Sequence, residues 1–151
     1  RFGQETKKRP KQETDNVTEY ILDMLGLKEY RDRYPHELSA SMEQRIVIGR
    51  SFAMKPDLLL MDEPYGQMDL KLRYYLEDEV IKLQTATKST VIFITHNIEE
   101  AVYLGNKIMI LTNKPTTVKT TLINELPRPR DIADPQFIEL RNKVTELIKW
   151  W

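Results

Sequence analysis

Leu58-Leu59-Leu60-Met61-Asp62-Glu63-Pro64 runs four apolar residues straight into two adjacent carboxylates and a proline. A short continuous apolar run predicts a strand buried on both faces, as in a parallel sheet. Carboxylates at the end of such a strand stand at the edge where open α/β sheets bind ligands. There Asp62 can hold Mg²⁺ and Glu63 can polarise a water. A polar surface closing a buried strand explains the same residues equally well, so the neighbouring segments must decide.

Working outward, Leu72, Tyr75, Leu76, Glu79, Val80 and Leu83 describe a helix after the acidic pair. Val91-Ile92-Phe93-Ile94 reads as a second buried strand, Ile98 to Leu104 as a brief helix closed by Gly105, and Ile108 to Leu111 as a third strand. Val118 to Ile123 alternates as a sheet-edge strand would. Leu126-Pro127-Arg128-Pro129-Arg130 reads as an extended connector. Phe137, Leu140, Val144, Leu147, Ile148 and Trp151 make a last amphipathic helix, and core packing is the default role of its Trp150 and Trp151. Upstream, Val17, Ile21, Met24 and Leu25 follow helical spacing, with Gly26 placed as a C-terminal cap. A short helical piece lies near Lys28 to Asp32. Ser39 or Ser41 can then cap a helix running to about Met54, which Pro56 bars from continuing. Strands alternating with helices imply an α/β fold with a parallel sheet, here short of strands.

The 151 residues are one domain's worth or part of a larger one. Lys plus Arg and Asp plus Glu both number 23, which argues against nucleic acid as the main partner. The basic cluster Lys7, Lys8, Arg9 and Lys11 reads as solvated linker. With no cysteine, disulfides and thiol metal sites are excluded. The longest apolar runs are about four or five residues, far below the ~20 that span a bilayer. The polar start at Arg1 carries no signal-peptide pattern and no Met, giving the expectation of a fragment.

Two further places can carry chemistry. The second strand ends in Thr95-His96-Asn97, and successive strands of a parallel sheet end at one edge, which would bring His96 near Glu63. A carboxylate that orients water and an imidazole that contacts a terminal phosphate make a hydrolytic pair. Leu38-Ser39-Ala40-Ser41-Met42 opens a helix, whose free N–H groups can meet an anion; a plain serine cap is the alternative. His36 lacks metal-ligand company and reads as structural.

In this order the segments resemble the ATP-binding subunit of an ATP-binding cassette (ABC) transporter, from about Val17 to Leu126. Leu38 to Met42, continued by Gln44 and Arg45, looks like a variant of the family signature. Leu58 to Asp62 looks like Walker B, Glu63 matches the catalytic glutamate, Tyr65-Gly66-Gln67-Met68-Asp69 the D-loop and His96 the switch histidine. Tyr34-Pro35-His36-Glu37 and Leu126 to Arg130 are similar to the nitrate, sulfonate and taurine importer branch. The resemblance implies a partial P-loop NTPase (RecA-like) parallel sheet with helices, preceded by part of the helical subdomain. Its divisions would be 1–13 linker or frayed end, 14–55 helical subdomain with the signature, 56–126 second half of the ATPase core, and 127–151 connector and C-terminal helix.

The resemblance also implies ATP and Mg²⁺ as cofactors, with Asp62 orienting the metal shell, Glu63 activating water and His96 contacting the γ-phosphate. Ser39, Ala40, Ser41 and Met42 would touch ATP held by a second ATP-binding subunit in a head-to-tail dimer, and Asp69 would help join the two sites. Transmembrane permease subunits, and indirectly an external solute-binding protein, are the further implied partners, at the cytoplasmic face of the membrane.

The match is incomplete. None of Gly3, Gly26, Gly49, Gly66 and Gly105 belongs to a G-x-x-x-x-G-K-[ST] loop, the nest of N–H groups that grips phosphate. Gln4 is a poor candidate for the family's glutamine loop. Ala40 and Ser41 replace two glycines of the signature, and their Cβ atoms can hinder approach to phosphate. The leading expectation is the C-terminal portion of an importer ATPase subunit, inactive without the missing half, which would otherwise cover its exposed sheet. A non-hydrolysing ABC-like regulatory or scaffolding protein is the alternative, and a soluble ABC protein acting on DNA or ribosomes a third.

Overall fold

The computed structural model describes residues 10–66 and 68–149. The basic residues Lys7 to Arg9, Gln4, Gln67 and the tryptophans Trp150 and Trp151 lie outside them. The described residues form two compact units, divided between Ile92 and Phe93.

The first unit opens with helix α1, Lys11–Met24, which begins upstream of the helical spacing that starts at Val17, and buries Val17 and Ile21. It ends as Gly26 requires: with φ +63°, the Gly26 N–H donates to the Asp23 carbonyl (3.0 Å) and the Leu27 N–H to the Leu22 carbonyl (2.8 Å). These two bonds are a Schellman motif, and they turn Leu25 and Leu27 into the core. Two single turns, Lys28–Tyr30 and Pro35–Glu37, lead to α2, Ala40–Ala53. Of the two serines, Ser39 is the cap.

Helices α1 and α2 touch where Gly49 leaves room: a Cβ there would stand 2.4 Å from Leu25 Cδ1 and 2.9 Å from Ile21 Cγ2. Arg45 ties the cluster, donating to the Leu25 carbonyl at 2.9 Å and lying 5.3 Å from the centre of the Tyr75 ring. Tyr75 belongs to α3, Leu70–Thr87, which sits between strands β1, Leu58–Asp62, and β2, Thr90–Ile94. The strands pair in a small parallel sheet, as a helical crossover between them demands. Besides Leu76, Val80 and Leu83, α3 buries both Glu77 and Glu79, and Glu79 is paired with Lys82 at 2.7 Å.

Two expectations are corrected. Burial of β1 on both faces does not occur: Met61 is buried, but Leu58 and Leu60 are 52% and 67% exposed, and Ile92 on β2 is 49% exposed. One face of the pair is bare because nothing in this unit covers it. The third strand does not extend the parallel sheet. In the second unit β3, Lys107–Leu111, pairs antiparallel with β4, Val118–Ile123, from Lys107↔Ile123 to Leu111↔Val118, with an irregularity between Ile110 and Leu111. The link over residues 112–117 is long enough for a hairpin and too short for a parallel crossover. Helix α4, Ile98–Leu104, precedes the hairpin, and α5, Pro135–Ile148, packs on α4 and β3 through Phe137 and Val144. Phe137 meets the Tyr103 ring edge-on at 6.5 Å.

Gly49→Val should crowd stiff Ile21 and cost about 1–3 kcal/mol. Thermal or urea unfolding checks it, and unchanged stability would show that α1 and α2 do not meet at Gly49.

Candidate functional site

Each candidate residue stands where a regular element stops. Asp62 is the last residue of β1 and is exposed. The chain then turns sharply: Glu63 has φ +42° and Gly66 φ +27°. The Gly66 N–H donates to the Glu63 carbonyl (3.3 Å), and the Met68 N–H to that of Tyr65 (3.0 Å). Tyr65 is the buried anchor of this turn, 1% exposed. The turn delivers Asp69, whose carboxylate accepts from the Leu72 N–H at 3.0 Å and caps α3. A left-handed φ at a glutamate is uncommon and strained, and here it falls on the candidate water-activating residue. Asp62, Glu63 and Asp69 are thus brought onto one turn of the first unit.

The signature-like segment lies in the same unit. Ser39 Oγ accepts from the Met42 N–H at 3.3 Å. The cap leaves the first N–H groups of α2, those of Ala40 and Ser41, without intrahelical acceptors. Ala40 and Ser41 have ordinary helical backbone. Their replacement of glycine therefore costs no left-handed strain, and only the bulk of two Cβ atoms remains as an obstacle to an anion.

His96 belongs to the second unit, in the bend between β2 and α4, and is exposed. Its turn is held tightly. Thr95 Oγ1 accepts from the Asn97 N–H (2.9 Å) and donates to buried Glu100 (2.6 Å). Asn97 Oδ1 caps α4 by accepting from the N–H groups of Glu99 (2.9 Å) and Glu100 (3.4 Å). His36 stacks on Tyr34, ring centres 5.8 Å apart. Both line a cleft of about 620 Å³ with Glu29, Asp32, Arg33 and Glu37, which includes none of the acidic turn.

Three residues beyond the expected set were missed. Asn124, Arg128 and Arg130 donate to the carbonyl groups at the end of α4. Leu126 to Arg130 read as connector, and only the alternation of Pro with Arg hinted at more. Burial pushes the Arg130 guanidinium down to about 10, with nearby Arg128 adding to the effect, so it still carries its charge at neutral pH.

Among the described residues, no three metal-binding side chains converge. Mg²⁺ at nucleotide sites is commonly held by one or two carboxylates together with substrate phosphates, and exposed Asp62 at a strand end suits that sharing.

Comparison with known proteins places the sequence among those of transport ATP-binding proteins. The profile of the ABC transporter family matches residues 2–66. An uncharacterised ABC transporter ATP-binding protein of Methanocaldococcus jannaschii is 38% identical over 148 residues, covering 98% of this chain and 55% of the relative. The aliphatic sulfonates import ATP-binding protein of Bacillus cereus is 36% identical over 136 residues, covering 90% and 54%. An ATP-binding cassette of an ABC transporter, solved in its ADP conformation, superposes with a TM-score of 0.66 at 22% identity, covering 87% of this chain and 51% of that one. The chain is a relative of the ABC transporter ATP-binding proteins, with their P-loop NTPase fold. It spans about half the length of the curated relatives it matches.

Glu63→Gly should relieve the left-handed strain and stabilise the chain by up to about 1 kcal/mol, once glycine's greater unfolded-state freedom is set against it. The unfolding midpoint would then rise by roughly 2–4 °C; a fall would mean that the Glu63 side chain contributes more through its contacts than its backbone costs.

Proposed function

We propose that this chain is the C-terminal portion of an ABC importer ATP-binding subunit, which hydrolyses ATP to drive uptake of a small solute such as nitrate, a sulfonate or taurine. The observation that carries this reading is the acidic turn, with Asp62 ending a strand, Glu63 held left-handed beyond it, and Asp69 starting the next helix. The importing relative supports the solute class.

In this reading Asp62 completes the shell of a Mg²⁺ ion that supplies charge neutralisation to the phosphates. Glu63 accepts the proton of the attacking water, and His96 donates a hydrogen bond to the γ-phosphate. The free N–H groups at Ala40 and Ser41, with Ser39 and Met42 beside them, face ATP held by a second ATP-binding subunit. Asp69 lies at the junction of the two head-to-tail subunits. Permease subunits receive the motion of the dimer, an external solute-binding protein acts through them, and the assembly sits at the cytoplasmic face of the membrane.

The phosphate-gripping half of the site belongs to another α/β segment. The bare apolar face at Leu58, Leu60 and Ile92 supports this, since parallel strands are ordinarily covered on both sides. The altered signature at Ala40 and Ser41 and the missing phosphate loop are the features favouring a non-hydrolysing regulator.

Titration calorimetry of this chain with Mg-ATP should therefore detect no binding up to about millimolar nucleotide, a binding free energy weaker than ~−4 kcal/mol. Tight binding would overturn the half-site reading. In the longer polypeptide that also supplies a phosphate loop, Glu63→Gln should lower ATP turnover roughly 100-fold or more while nucleotide binding persists. No turnover in the unaltered longer polypeptide, even with its permease, would favour the regulator.

A further inference from the structure

The turn that carries His96 runs directly into α4, which is only seven residues long. A helix that short has little stability of its own, so its position must come from what holds its ends. Its start is held locally, by Asn97 and the Thr95–Glu100 bond. Its end is held from far along the chain. Arg130 Nη1 donates to the carbonyls of Val102 (3.0 Å), Tyr103 (2.6 Å) and Gly105 (3.0 Å). Arg128 Nη2 donates to the Leu104 carbonyl and, at 3.1 Å, to Asn106 Oδ1. Asn124 Nδ2 donates to Val102 (2.8 Å) and Gly105 (2.9 Å). Every carbonyl from Val102 to Gly105 thus accepts a bond from a side chain between Asn124 and Arg130.

This is more than an ordinary helix cap. Arg130 is 7% exposed, and its hydrogen bonds go to backbone carbonyls rather than to a carboxylate. The negative end of the helix dipole is what matches its charge. A single nitrogen, Nη1, lies among all three carbonyls, and Nε reaches the Leu126 carbonyl at 3.4 Å; the guanidinium carries its charge to this place with little loss on burial because it is more weakly hydrated than an ammonium. Pro127 and Pro129 restrict the backbone beside both arginines, so the guanidinium groups enter from an extended segment with few alternatives.

We propose that Arg130, aided by Arg128 and Asn124, is a positioning residue for His96: it locks α4 from its far end and thereby holds the histidine turn at the near end. The proposal takes its functional meaning from the role assigned to His96 above, but its test uses no nucleotide. The chain has two histidines, His36 and His96, so their imidazole signals can be followed by NMR in the full chain and assigned with His36→Gln. Arg130→Gln should shift or broaden the His96 ring signal while leaving His36 in place, and should speed amide exchange over residues 101–105 about tenfold or more. Arg128→Gln, which removes fewer bonds, should do the same to a smaller extent and serves if Arg130→Gln does not fold.

A folded variant with faster exchange at 101–105 and an unmoved His96 signal would overturn the proposal, because the clamp would then be structural only. An effect spread equally over both histidines would overturn it too. Failure of the Glu63→Gln experiment would remove the hydrolytic reading while leaving this result standing, so the two can fail separately.

Discussion

Each helix begins with N–H groups and ends with carbonyl groups that have no partner inside it, and in this chain the satisfaction of those groups places nearly every residue of interest. Ser39, Asp69, Asn97 and Asp134 cap the starts of four helices with their own side chains. The Gly26 turn closes the end of α1 with backbone bonds, and Arg130 closes α4 with a side chain. Where these ends lie decides where the chain turns. The turns in turn put Asp62, Glu63, Asp69 and His96 at the ends of elements rather than along them.

The two sides of ATP chemistry are unequally represented. The carboxylates, the histidine and an anion-receptive helix start are present, each exposed or at a helix terminus, whereas the nest of backbone amides that grips phosphates is not encoded between Arg1 and Trp151. Kinship with ABC transporter ATP-binding proteins about twice as long fits that division. The exposed apolar residues of β1 and β2 belong to the same picture. A strand that carries carboxylates at its end is held by the packing on its faces, and a parallel pair with one bare face lacks half of that packing.

Backbone strain falls on Glu63, the residue proposed to activate water. A glutamate held at φ +42° is a local cost, sustained because Tyr65 is buried beneath the turn and because the Gly66 and Met68 amides bond back across it.

Much of this was legible in the residues alone. The run Leu58 to Met61, the Gly26 stop, the barrier at Pro56 and the helices with apolar stripes are local patterns, and local backbone chemistry is enough to read them. The order of signature-like segment, acidic pair and histidine likewise needs no coordinates, which is why candidate site residues could be named from sequence. Tertiary structure decided what depends on partners distant along the chain: that Ser39 and not Ser41 is the cap, that β3 turns back on β4 instead of extending a parallel sheet, that one face of β1 is bare, and that Arg130 reaches across from residue 130 to the end of α4. An arginine between prolines looks like a solvated connector until the carbonyls it serves are in place, because only the folded chain brings a helix end within its reach.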